Sequence, residues 1–383
     1  MNNVRKFLRE GDVVQFDIFT HKPHVTLLIR KGTTITERLL SSLENFDYDF
    51  QKMNIVVSRN GEIVSNDPQE VKAPPKPEPA PVKAEPRDKT AVNFSEKLKN
   101  DAVNAAKHLF SDGVTTKELN STSAELSHDI TDTVLSAGAN ANICIQDLRV
   151  TDEYTYQHSV DVGVLAAQLA KRLGWVKEKV DMTAQSGILH DIGKKHVPLE
   201  ILNKPGRLTD EEFAVMKLHP VYAYKELSVI REMANEVKLG AFEHHEKMNG
   251  KGYPRGLSGN QISEIAQVLA IADVYDALTS KRAYKEGMSS ARAVGIMSEM
   301  MDSFNPKFFA VFLNCITLYP VGTRVICSDG FSYKVESHNV GHPTRPVLLN
   351  EFNGRRIDLC ENREISIFGE DCEEIRNKLN LNK

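Results

Sequence analysis

An imidazole and a carboxylate stand side by side at His190-Asp191, directly after the apolar run Ser186-Gly187-Ile188-Leu189. Neighbours on a helix point about 100° apart, so such a pair grips two sides of one small cavity. Lys194 follows one turn after His190, where an ammonium on the same face neutralises a ligand phosphate. His244-His245 repeats the device of adjacent donors. Asp273 lies inside the apolar stretch Val268 to Val274, and a carboxylate in a buried helix needs a cation or hydrogen-bond donors. Of the 12 histidines, six fall between residues 151 and 300: His158, His190, His196, His219, His244 and His245. A lone helical histidine is usually a core or surface residue; here carboxylates keep them company. Imidazoles with carboxylates and without cysteine suit a hydrolytic divalent site better than a structural zinc site. The competing account is a scatter of core histidines with unrelated ion pairs.

These residues need rigid elements to hold them. From Val92 to Leu318 the pattern is helical, and Thr122-x-x-Glu125 and Thr209-x-x-Glu212 have capping-box spacing ahead of periodic apolar positions. Val164, Leu165, Ala167, Leu169 and Leu173 predict a largely buried helix over 160–173. After Tyr319 the chain turns strand-like at Arg324 to Cys327, Tyr333 to Glu336, Val347 to Leu349 and Arg356 to Leu359, as in a small antiparallel sheet. Residues 1–66 carry β-type runs at Val13 to Phe19, Val25 to Ile29 and Asn54 to Ser58, with a helix from about Thr36 to Asn45 between the second and third. Seven of the 16 prolines lie between Pro68 and Pro86, interleaved with Lys, Glu and Ala, which predicts an extended, semi-stiff linker.

The expected organisation is therefore a small N-terminal α+β module (1–66), a Pro-rich linker (67–91), a helical catalytic domain (92–318) and a C-terminal β-rich extension with its tail (319–383). The module is either a folding cap or a sensory or docking part for a signalling protein partner. With 383 residues, 41% hydrophobic and 26% charged, the chain can bury a sizeable core. A net charge of -4, from 48 basic and 52 acidic residues, argues against a dedicated DNA or RNA binder but leaves room for a local anion pocket. The five cysteines form no CxxC pair, which fits a reducing compartment. The strongest apolar run, Phe308 to Tyr319, falls short of the roughly 18 residues a membrane span needs. Arg9-Glu10-Gly11-Asp12 leaves no room for a signal-peptide core. The expectation is a soluble cytoplasmic protein.

Longer motifs sharpen this. His190-Asp191-Ile192-Gly193-Lys194 resembles the signature of the HD phosphohydrolase superfamily. The segment His244-His245-Glu246-Lys247-Met248-Asn249-Gly250-Lys251-Gly252-Tyr253-Pro254 resembles the element that defines its HD-GYP branch. Leu202-Asn203-Lys204-Pro205-Gly206 and Ile271-Ala272-Asp273-Val274-Tyr275-Asp276-Ala277-Leu278-Thr279-Ser280 agree in order, so the resemblance covers about 120–318, just over half the chain.

The resemblance implies a mainly α fold, a helical HD-type bundle. It also implies metal-dependent hydrolysis of a cyclic dinucleotide, chiefly cyclic di-GMP with cyclic GMP–AMP as the rival, to the linear dinucleotide and on to mononucleotides in some members. The family's metal ligands fall on His158, His190, Asp191, His219, His244, His245 and Asp273, with Asp191 as the bridging carboxylate. Its phosphate-contacting lysine falls on Lys194, and its other substrate contacts on Tyr253, Arg282 and Lys285. Members with a third metal carry a glutamate four residues before the first ligand; here that position is Tyr154, with Glu153 turned away, so two ions, iron or manganese, are expected. Two metals about 3.5–4 Å apart would supply a bridging hydroxide and draw charge from the phosphate, with Lys194 adding to that field. The same resemblance admits an inactive dinucleotide-binding adaptor, or an HD hydrolase of another phosphoester.

Overall fold

The computed structural model describes residues 3–15, 18–19, 27–29, 32–44, 50, 55–65, 91–149, 154–281, 287–351 and 354–378. The Pro-rich stretch expected as a linker lies outside these residues. The chain divides into two compact units: residues 1–87 with 332–334 and 348–357, and residues 88–331 with 335–347 and 358–383.

The first unit is an α+β assembly. It holds α1 (Val4–Phe7), β1 (Val13–Val14), β2 (Ile18–Phe19), β3 (Leu27–Ile29), α2 (Glu37–Glu44), β4 (Val56–Arg59) and β5 (Glu62–Ser65). β4 pairs antiparallel with both β1 and β5, placing Val57 opposite Val14 on one side and Val64 on the other. The β4–β5 turn uses Asn60 and Gly61 at φ 52° and 88°, the left-handed pair a tight hairpin requires. Leu40 and Leu43 of α2 close over Val14, Ile18, Ile29, Phe50, Ile55 and Val57, and each such burial stabilises by about 1.5–3 kcal/mol. Strand β5 was not among the expected runs, because Glu62 and Ser65 flank only two apolar residues.

The second unit is built of helices: α3 (Glu96–Leu109), α4 (Thr116–Ser136), α5 (Ile145–Leu148), α6 (Tyr154–Arg172), α7 (Lys177–Leu189), α8 (Leu199–Leu202), α9 (Asp210–Met216), α10 (His219–Ser228), α11 (Asn235–Glu243), α12 (Glu264–Thr279), α13 (Ser290–Glu299) and α14 (Pro306–Phe312). The chain continues with strands β6 (Arg324–Cys327), β7 (Ser332–Ser337), β8 (Val347–Leu349), β9 (Arg356–Asp358) and β10 (Ile367–Glu370), then α15 (Glu373–Lys378); residues 332–334 and 348–357 of this stretch count with the first unit. β10, also beyond the expected runs, pairs antiparallel with β6. Helix α9 begins at the expected Thr209–Glu212 capping box. The Thr122–Glu125 expectation fails: these residues sit inside α4, whose capping box is Thr115 with Glu118. The same four-residue spacing recurs seven residues, about two turns, later, and only the first copy precedes the helix.

Helix α6 is buried on every face from 157 to 170, as its apolar run requires. It packs on α7 and α12, while α11 packs on α7, α10 and α12. Helix α12 is buried along most of its length, Asp273 and Asp276 included. No described helix is long and apolar enough to cross a membrane.

Candidate metal centre

Helix ends make this site. His190 and Asp191 follow the last residue of α7, His219 opens α10 directly after the short α9 turn, and His244-His245 follow α11. His158 and Asp273 come from the interiors of α6 and α12. The last carbonyls of a helix have no partner within it. Three ring nitrogens use them: His190 Nδ1 lies 2.6 Å from Gly187 O, His219 Nδ1 2.8 Å from Met216 O, and His244 Nδ1 2.8 Å from Ala241 O. Each carbonyl belongs to the final turn of α7, α9 or α11. Close backbone approach brings the turns together. A Cβ on Gly193 would stand 2.1 Å from His219 O, and one on Gly252 would stand 2.4 Å from Lys247 N, so glycine is obligatory at both.

Those contacts fix the tautomers. A carbonyl only accepts, so Nδ1 carries the proton in His190, His219 and His244, and each Nε2 presents a bare lone pair. His158 Nδ1 likewise donates to Asp276 Oδ2 at 2.7 Å. The exposed lone pairs converge. His158, His190 and Asp273 form one group of donors within 4.8 Å of one another, and His219, His244 and His245 form another. Asp191 stands between them. Its Oδ2 lies 3.5 Å from His158 Nε2 and 3.2 Å from His190 Nε2, and its Oδ1 lies 3.3 Å from His219 Nε2.

The electrostatics leave this arrangement incomplete. His219 Nε2 and His244 Nε2 face each other at 3.3 Å, lone pair against lone pair. His190 Nε2 and Asp191 Oδ1 are buried without a hydrogen-bond partner. A proton does not fill the gap near neutral pH, because burial pushes His219 down to about 3 and His245 down to about 4, and holds His244 well below the usual imidazole range. His158 behaves oppositely: burial opposes its charge, but Asp273 and Asp276 outweigh it and push the ring up to about 10. Asp191 and Asp273 stay ionised despite burial, the first through His190 and Lys194 and the second through His158 and His245. Neutral imine nitrogens at His219, His244 and His245 beside ionised carboxylates fit a divalent cation, and a cation on the other side would take the place of the His158 Nε2 proton.

The remaining expected site residues divide. Lys194 is near the centre, its ammonium on the Asp191 oxygen that also faces His190 Nε2. The chain after Asp191 winds as a 3-10 turn, in which residues three apart eclipse, so Lys194 Nζ reaches Asp191 Oδ2 at 2.5 Å. Tyr253 lies over His245, with ring centroids 4.6 Å apart. Tyr154 opens α6 one turn before His158. Arg282, Lys285 and Glu153 lie outside the described residues. Glu246, which either a ligand-orienting or a capping role could explain, clamps the loop: it accepts from Arg255 N at 2.7 Å and Leu257 N at 2.8 Å. His196 is exposed and pairs with Glu226. Arg149 and Asp161, which no motif singled out, lie behind His158 in a buried polar cluster.

Residues 142–308 match the family described as the HD domain. A cyclic di-GMP phosphodiesterase of Pseudomonas aeruginosa is 42% identical over 191 residues, which is 50% of this chain and 46% of that protein. A 3'3'-cGAMP-specific phosphodiesterase of Vibrio cholerae is 40% identical over 145 residues, 38% of this chain and 33% of its own length. The chain thus spans less than half the length of either relative. A solved HDG"Y"P protein from Bdellovibrio bacteriovorus aligns at 19% identity with a TM-score of 0.47, over 80% of this chain and 95% of that one.

Proposed function

We propose that residues 142–308, which match the HD domain family, belong to its HD-GYP branch and that the protein hydrolyses a cyclic dinucleotide, cyclic di-GMP first and 3'3'-cyclic GMP–AMP second. The supporting relatives carry those two substrate names. The observation that carries the reading is the convergence of unpaired donors: opposed His219 and His244 nitrogens, and a buried Asp191 oxygen without a donor.

His158, His190 and Asp273 would hold one divalent cation, His219, His244 and His245 a second, and Asp191 would serve both through its two oxygens. Iron or manganese suits this donor set. When bound, such a pair draws charge from a phosphodiester and lowers the pKa of water toward neutrality, so that hydroxide forms without a strong base. The protein's own part is positional. Helix-end carbonyls hold three rings with Nε2 inward. Lys194 turns its ammonium from Asp191 to the phosphate oxygens, where it counts most as charge grows in the transition state. Tyr253 offers a face to a purine. Arg282 and Lys285 would serve the second phosphate, a role that the family resemblance alone implies. Water supplies the hydroxyl that joins phosphorus, and its proton goes to the leaving ribose oxygen, opening the ring to a linear dinucleotide.

The five free thiols suit a cytoplasmic setting, and residues 1–66 would receive a signal or dock a partner protein. The test is to incubate the manganese-loaded chain and its Asp191→Ala variant with each dinucleotide and separate the products by chromatography. Linear product from the parent and none from the variant is expected. Equal cleavage by both would overturn the reading, and tight binding without product would assign the chain to the adaptor class.

A further inference from the structure

Behind the His158 side of the centre lies a guanidinium with no obvious reason to be there. Arg149 follows the last residue of α5, nine residues before His158. Its Nη1 donates to Thr279 O at 2.8 Å, and its Nη2 to Asp276 Oδ1 at 3.1 Å, Thr279 Oγ1 at 3.1 Å and Ser280 Oγ at 2.9 Å. Its Nε lies 3.5 Å from Asp161 Oδ2. Thr279 is the last residue of α12, so Arg149 caps the carbonyl end of the helix that bears Asp273 and Asp276. The other oxygen of Asp276 takes the His158 Nδ1 proton at 2.7 Å. One planar fork therefore ties His158 on α6 to Asp273 on α12. On the other side His219 and His244 lean on the Met216 and Ala241 carbonyls, and only His245 approaches the tie, at 3.7 Å from Asp273 Oδ2.

We propose that Arg149 is a positioning residue for the His158–Asp273 half of the centre and sets the metal affinity of that half independently of the other. The proposal rests on the two-cation reading above. A guanidinium suits the task better than an ammonium, because its rigid fork addresses a carboxylate and a helix end together. Without it Asp276 keeps the Ser280 hydroxyl, at 3.0 and 2.9 Å from its two oxygens, but loses its charged partner, and the His158 ring is held less firmly. Partners of ligand histidines are worth about 10–100-fold in metal affinity.

The experiment titrates the chelated full-length chain with Mn(II) against a competing chelator, for the parent, Arg149→Met and Arg149→Lys, and follows the unfolding midpoint of each metal-free protein. The parent binds two ions. In Arg149→Met one site weakens by about 10–100-fold and the other stays within about twofold, with part of the loss recovered in Arg149→Lys and little change in the metal-free midpoint. Equal weakening of both sites, or of neither, overturns the proposal. If Arg149→Met does not fold, Arg149→Lys reads the same split, since it keeps the charge and loses the fork. A parent that binds no ion sinks the two-cation reading itself, and this inference with it.

Discussion

Asp12 in the N-terminal unit and Asp191 in the helical unit are each 1% exposed, so burial works against the charge of both. The chain answers the two differently. Asp12 accepts from Arg9 N at 2.8 Å and takes a two-pronged contact from Arg59, whose Nε and Nη2 lie 2.8 and 2.7 Å from its two oxygens. Both oxygens are served. Asp191 has Lys194 on one oxygen, and its other oxygen has no donor and faces the bare nitrogen of His219. A buried charge that the chain completes by itself is architecture. One that the chain surrounds with further lone pairs is completed from outside, and that difference separates a structural ion pair from a site.

The comparison can be broken by removing each carboxylate. Asp191→Ala should abolish retained metal and lower turnover by at least about a thousandfold, the several kcal/mol a metal centre supplies. Its metal-free form should unfold within about 1 kcal/mol of the parent, because the lost Lys194 contact is partly exposed. A metal-free variant much less stable than the parent would place Asp191 with Asp12 as architecture. Next in size is the effect of the cation itself. At a hundredfold excess over its dissociation constant, Mn(II) should stabilise the chelated chain by about 2.7 kcal/mol, read as a rise in unfolding midpoint. The Asp12→Asn variant should show the same rise.

Asp12→Asn should itself cost about 2 kcal/mol of stability, the worth of charge-assisted hydrogen bonds left half made, while metal content and turnover stay within about twofold. Denaturant unfolding and elemental analysis on one preparation measure both. The smallest effect is on acid stability. Burial opposes the charge of Asp12, but Arg59 and the Arg9 N–H outweigh it and hold the carboxyl below its ordinary value. A group lowered in this way stabilises the fold above the unfolded value of about 3.9, and that contribution fades as pH falls through the lower folded value. Below about pH 4 the parent should therefore lose more stability than Asp12→Asn, a gap that vanishes if Arg59 does not hold the charge.

The helical class, the buried run of α6 and the clustering of imidazoles with carboxylates are legible because each is written in local pattern: apolar periodicity for the helix, motif for the clustered side chains. What escaped depends on residues far apart or on turns. Arg149 meets Asp276 across 127 residues, and no spacing in its own neighbourhood marks it. The contact of Lys194 with Asp191 comes from a 3-10 turn that α-helical spacing does not foresee. Strand β5 had a signal that went unused: Asn60-Gly61 is a hairpin dipeptide, and both residues take positive φ. Thr122 and Glu125 carry capping-box spacing within a helix that had already begun at Thr115. Spacing marks a possible cap, and only the backbone ahead of it decides.

The account turns on how many divalent ions the chain retains after loading with Mn(II) and desalting, counted by elemental analysis against protein concentration. Two per chain in the parent and none in Asp191→Ala is the predicted result. A parent that holds none, or a variant that holds as many as the parent, would contradict it.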